Sequence, residues 1–290
     1  MKFSNILLAA VGLSSFAQAA ITYTEDFSSG TGEFDPLNQT VIDTSSGSLE
    51  FVHQNQTQNP PQPGQGAGVV IPVNDPNVLS STLSDLLLDG NGAPIPGASV
   101  FFEFSTIVPT GTGAQDELGF FLGPEPNQAQ SSDIFNGQNN NAFTLFVNDQ
   151  GLFAQNNGQI SNNPNSVSDG TNGASPILQD LGVGTQLTIN IEWSLVAGAN
   201  NGLASIYTVT AEGIDETTGA PVTATGMFDG IQQNLNANTI DQYAFVASST
   251  QSITGSIDNF TVSNMPIPEP SSIVLSLVGI SALFLRKRRK

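Results

Sequence analysis

The chain has no cysteine, one histidine and only six lysines or arginines in 290 residues. Zero cysteine excludes a disulfide scaffold, a thiolate zinc site and a cysteine nucleophile. His53 alone cannot build a histidine-rich metal centre, and its place beside a Pro/Gln segment reads as surface. The six cations all stand at the ends: Lys2, then Arg286, Lys287, Arg288, Arg289 and Lys290. Residues 20–264 contain no lysine or arginine against 24 carboxylates, since Glu269 is the one acid of 25 outside that span. A body without cations cannot displace counterions from phosphates, so nucleic acid is excluded as a partner. Nor can Lys/Arg ion pairs stabilise it.

Charged residues make up 11% of the chain, well under the usual quarter. Hydrophobic residues reach 38% and include 18 Phe, enough to fill a core and to argue against disorder. Solubility must rest on Asn, Gln, Ser, Thr and carboxylates. An all-acidic body repels itself, and salt or divalent cations relieve that repulsion. Such a surface suits a saline or calcium-rich exterior, or a cation-bridged association with anionic exopolysaccharide. It is equally a plain device for solubility.

The two ends read as addresses. Lys2 precedes a short apolar run, Ile6 to Leu13, and Ala17-Gln18-Ala19 forms an A-x-A cleavage pattern. Residues 1–19 are therefore expected to be a secretory signal peptide, with cleavage after Ala19. At the other end, Pro268-Glu269-Pro270 is followed by a weakly polar to apolar stretch, 271–285, and a basic tail, 286–290. As a helix that stretch spans roughly 20–22 Å. This falls short of a hydrocarbon core of about 30 Å, and snorkelling by Arg286 and Lys287 narrows the gap. The positive-inside rule puts Arg286–Lys290 in the cytoplasm and the body outside.

This three-part end, residues 265–290, resembles the PEP-CTERM sorting signal of Gram-negative bacteria. The resemblance implies recognition at Pro268, Glu269 and Pro270 by exosortase, an anchor in the inner membrane, and a cytoplasmic stop at Arg286–Lys290. It implies display on the cell surface or in the extracellular matrix of exopolysaccharide-producing cells. It carries no information about the body.

Residues 20–264 are expected to form one all-β domain. Leu187, Ile189, Ile191, Trp193 and Leu195 alternate with Thr188, Asn190, Glu192 and Ser194, the period of a half-buried strand. Residues 99–108 are β-branched and aromatic, and 143–147 with 151–154 flank Asn148-Asp149-Gln150 as a hairpin. Residues 204–212, 222–228, 243–249 and 257–262 also fit strands; 40–42, 49–53, 69–73 and 118–122 are weaker. One helix is expected, Val78 to Leu88, capped by Ser80 or Ser81. About a dozen strands without alternating helices indicate a sandwich or barrel. Residues 54–68, 136–141 and 156–173 read as exposed polar loops.

The edges of this body, Tyr23-Thr24-Glu25-Asp26-Phe27-Ser28-Ser29-Gly30 and Gly255-Ser256-Ile257-Asp258-Asn259-Phe260-Thr261-Val262, resemble the first and last strands of jelly-roll and concanavalin-A-like carbohydrate-binding domains. The resemblance implies that these strands pair. It also implies a structural calcium, for which Glu25, Asp26 and Asp258 are the candidates by position. Carboxylate and carbonyl oxygens, the donors this body has, suit that hard ion.

Enzymatic alternatives find little footing. Glycoside hydrolysis needs two carboxylates about 5–10 Å apart. Asp116 and Glu117 are neighbours that would face opposite ways, and Glu192 has no second acid on its own strand face. Serine hydrolysis lacks a G-x-S-x-G motif. Trp193 shares its face with four apolar residues and reads as core rather than as a sugar platform; Tyr23, Tyr207 and Tyr243 are the other stackers. Asp215-Glu216 reads as a turn. The expectation is therefore a non-enzymatic exported surface protein binding polysaccharide. A glycan-active enzyme and a purely structural or adhesive protein remain as alternatives.

Overall fold

The computed structural model describes residues 22–37, 40–53, 67–72, 77–78, 82–109, 117–123, 143–148, 151–156, 175–179, 181–198, 203–230, 242–248 and 255–265. The signal peptide and the sorting tail expected from the sequence lie outside these residues. Among the described residues no helix is long and apolar enough to cross a membrane.

Two antiparallel sheets face each other. The first contains β1 (Thr22–Glu25), β3 (Thr40–Asp43), β4 (Leu49–His53), β6 (Ser99–Ile107), β11 (Gln186–Ala197), β12 (Leu203–Ile214), β13 (Pro221–Gly230) and β15 (Gly255–Ser263). The second contains β2 (Asp35–Leu37), β5 (Ala67–Pro72), β7 (Glu117–Gly123), β8 (Phe143–Asn148), β9 (Gly151–Asn156), β10 (Ser175–Gln179) and β14 (Gln242–Ser248). Their orders are β13-β12-β11-β6-β15-β4-β3 and β10-β9-β8-β7-β14-β5-β2. β6 runs along one edge of β15. Its other edge is shared end to end: β4 pairs with Gly255–Ile257 and β1 with Phe260–Ser263.

Alternation drives burial. Leu187, Ile189, Ile191, Trp193 and Leu195 of β11 point inward. Trp193, Tyr207 and Phe143 stack nearly parallel across the sandwich: Phe143–Tyr207 centroids are 4.0 Å apart and Trp193–Tyr207 6.0 Å. Trp193 is thus core, as its periodicity indicates. Tyr207 is buried too, and burial pushes its phenol well above the usual range. A second cluster joins Phe34, Phe104, Phe120, Phe245 and Phe260, with centroids from 4.9 to 6.1 Å. Edge-to-face pairs of this kind add to area burial.

One expectation is corrected. The helix α1 is only Leu83–Leu87, and its N-cap is Thr82 rather than Ser80 or Ser81. Thr82 Oγ1 accepts the Asp85 N–H at 3.2 Å, which fixes the start. At the other end Leu88 turns extended and bridges to Pro94, so the backbone leaves the helix after little more than one turn.

Candidate functional site

The pairing of the end strands is present: Thr22–Glu25 runs antiparallel to Phe260–Ser263, with Glu25 opposite Phe260. Opposite residues of an antiparallel pair share a face. Phe260 is buried in the core, so Glu25 lies on the inner side at the rim. Its Oε1 accepts the Phe27 N–H at 2.9 Å and its Oε2 accepts the Tyr23 hydroxyl at 3.4 Å. The Tyr23 oxygen in turn accepts the Glu33 N–H at 3.2 Å. Burial pushes the Tyr23 phenol up to about 12, partly offset by that N–H. Phe27 has φ +55°, a left-handed conformation that needs such support. Gly32 also has positive φ, and any Cβ there would overlap the Glu25 carboxylate. Asp26 accepts the Ser28 N–H at 3.0 Å. The Ser28 hydroxyl and N–H hold its carboxyl below the ordinary 3.8. Glu25 and Asp26 therefore organise the turn after β1.

Asp258 has a different setting. It pairs with Ser105, whereas Thr261 pairs with Glu103: three steps on β15 match two on β6. The extra residue is a β-bulge, with Asn259 at φ +53°. One added residue reverses the facing of everything beyond it. Ile257 is buried inward, Asp258 turns outward, and Phe260 is inward again. Glu25 and Asp258 therefore stand on opposite faces of the sheet. Among the described residues no group of three or more Asp, Glu or His could hold a metal ion. Glu25 and Asp258, on opposite faces, do not converge on one ion.

Asp258 instead lines a cleft of about 310 Å³ on the outer side of the eight-stranded sheet. Its other principal walls are Ser46, Ser48, Ile107, Gln186 and Ser256. Ile107 and Gln186 are cross-strand partners on β6 and β11. Ser46 and Ser48 come from the β3–β4 turn, where Gly47 has φ +85° and its N–H reaches Thr44 O at 3.1 Å, and Ser256 comes from β15. Asp43 accepts the Ser45 N–H at 2.8 Å; that N–H and the Ser45 hydroxyl lower its carboxyl below the ordinary value. Thr106 Oγ1 donates to Ser256 O at 2.7 Å and pins the start of β15. The bulge sits between the ends of β4 and β1, where neither strand pairs with Asp258.

Commitment separates this acid from others. Asp26, Asp43, Asp89 and Asp215 each accept a backbone N–H of their own turn. Asp215-Glu216 is thus the turn its Gly-rich setting indicates. The side chains of Asp258 and Gln186 make no hydrogen bond to another described residue. Ile107 is 47% exposed, an apolar wall among polar ones.

The register also tests the acid-pair idea. Asn190 is opposite Glu103 and Phe101 is opposite Glu192, so the two glutamates are diagonal neighbours, roughly 7–8 Å apart. Neither lines the cleft. Glu192 is exposed and accepts the Ser99 hydroxyl at 2.7 Å. A solvent-facing carboxylate so engaged lacks the enclosure that general-acid chemistry relies on. On the seven-stranded sheet, Phe121 and Val70 face away from the core by register, yet they are 1% and 8% exposed. That face is not bare there.

The signal for the cleft was a turn, Thr44-Ser45-Ser46-Gly47-Ser48, between two short strands; sequence reasoning passed over it. No family model matches the chain, and no curated protein matches it. Solved structures do. Arcelin-5, a lectin-like defense protein from Phaseolus vulgaris, superposes with a TM-score of 0.54 over 84% of this chain and 97% of its own, at 12% identity. The fold is that of the legume lectins. Lectin I from Ulex europaeus, in complex with the methyl glycoside of α-L-fucose, gives 0.53 over 84% and 98% at 14% identity. Lectin II from Ulex europaeus gives 0.52 over 84% and 99% at 12% identity. In this lectin-like sandwich, Asp258 is the one sequence-predicted metal candidate that faces an open cleft.

Proposed function

We propose that this chain is an exported, non-enzymatic, lectin-like module that binds polysaccharide at the cell surface or in the extracellular matrix. The observation that carries the reading is an open polar cleft on a sandwich of the legume-lectin fold, holding one carboxylate that bonds no other described residue. One solved relative of that fold carries a fucose glycoside. A cleft lined by a single acid favours binding over hydrolysis, which takes two.

The ends supply the address. Residues 1–19 direct export. Residues 265–290 hand the protein to exosortase, with Pro268-Glu269-Pro270 as the recognition motif and Arg286–Lys290 as the cytoplasmic stop. Thr22 pairs with Ser263, so both chain ends leave the sandwich at one end of β15. Asp258 lies five residues back, about 17 Å along a strand. A tether at the C-terminus then points the cleft away from the membrane.

The test is co-sedimentation of the exported protein with neutral and acidic exopolysaccharides, in calcium and again in chelator. Binding to a defined glycan is expected, and failure with every glycan moves the domain to the structural or adhesive class. The C-terminal mass of protein recovered from cells tests sorting. A chain ending near Pro270 is expected, and an intact Lys290 contradicts processing.

A further inference from the structure

Resting on the carbohydrate-binding reading above, we infer that the cleft at the start of β15 takes one pyranose residue bearing no negative charge, held by Asp258 and Gln186 with Ile107 against its ring. A volume of about 310 Å³ is at the low end of small-ligand sites. It has room for a single sugar with its water rather than for a length of chain.

The lining matches the chemistry of a sugar's edge. An ionised Asp258 only accepts hydrogen bonds, whereas the Gln186 amide and the Ser46, Ser48 and Ser256 hydroxyls both donate and accept. Neighbouring ring hydroxyls offer the same mixture. Among the described residues the side chains of Asp258 and Gln186 have no hydrogen-bond partner to give up. Ile107, 47% exposed, gives the cleft an apolar wall for a C–H face.

Charge then selects among sugars. Glu50 stands opposite Ser256 across the β4–β15 pair, and Asp43 stands opposite Glu50 across β3–β4. Two further carboxylates thus stand beside the site on its β4–β3 side, and residues 20–264 contain no Lys or Arg to balance them. A uronate is repelled and an ammonium attracted. The expected order is glucosaminide at or above glucoside, and both well above glucuronide.

Saturation-transfer NMR with the full-length protein reads this directly, using the methyl glycosides of glucose, glucosamine and glucuronic acid as probes. Transfer to the first two and little to the third is expected. Asp258→Asn and, separately, the exposed Gln186→Ala should each weaken it about tenfold. Unchanged transfer in both variants, or glucuronide binding equal to glucoside, overturns the inference. No transfer from any probe while the protein still sediments with polysaccharide also overturns it and leaves the lectin reading standing. Loss of sedimentation as well overturns both.

Discussion

At one end of β15 the Glu25 carboxylate serves the backbone; toward the other the Asp258 carboxylate faces an open cleft. Glu25 spends both carboxylate oxygens on the turn that follows β1, with Phe27, Tyr23, Glu33 and Gly32 arranged around it. Asp258, across a single bulge, faces a cleft and serves no turn. In sequence the two look alike: each is an acid in the first or last strand of the body, two residues before a phenylalanine. The difference is one extra residue on β15. It teaches that an acid's role is set by which backbone N–H groups its neighbours leave unsatisfied.

The comparison can be broken in several ways. Phe260→Ala should have the largest effect, because Phe260 packs on Phe34, Phe245 and Tyr23 at the Glu25 end. A loss of about 3–5 kcal/mol in a denaturant melt is expected. Glu25→Ala should cost roughly 1–3 kcal/mol, since it strands the Phe27 N–H and the Tyr23 hydroxyl. Glycan binding by the protein that stays folded should be unchanged. Asp258→Asn should do the reverse, leaving stability within about 0.5 kcal/mol and weakening glycan binding about tenfold. If it destabilises as Glu25→Ala does, Asp258 is structural and the contrast disappears.

The pH dependence is smaller and has two limbs. The carboxyls of Asp26, Asp43, Asp89 and Asp215 are lowered by hydroxyl and N–H donors of their own turns. The stability they add is present above the ordinary value of 3.8 and is lost as pH falls through their lower folded values. Unfolding midpoints should therefore drop below about pH 4. Tyr23 runs the other way. Its pKa rises from 10.0 to about 12, so its contribution holds below pH 10 and fades between those two values. Phenolate absorbance should lag that of free tyrosine across the same interval.

Much of the fold was legible because period-two alternation is a local signal. β11 alternates through nearly its whole length, and the β8–β9 hairpin carries its own turn residues. Trp193 could be assigned to the core for the same reason. Short strands were harder. β2 and β10 are three and five residues and contain proline, so pairing partners rather than propensity define them. α1 shrank because Thr82 capped it late and Leu88 was drawn into a bridge. The site was least legible. Asp258 could be named from the last strand of the body, but its facing depends on a bulge, and a bulge is a register fact between two strands. Gln186, Ile107 and the serines of the β3–β4 turn lie far apart in sequence and meet only after β15 is placed between β4 and β6.

The most direct test is hydrogen exchange of the full-length protein with and without a saturating polysaccharide. The prediction is added protection at residues 44–48 and 255–259, with none at 26–33. Protection confined to 26–33, or to the seven-stranded sheet, would contradict a glycan site at Asp258.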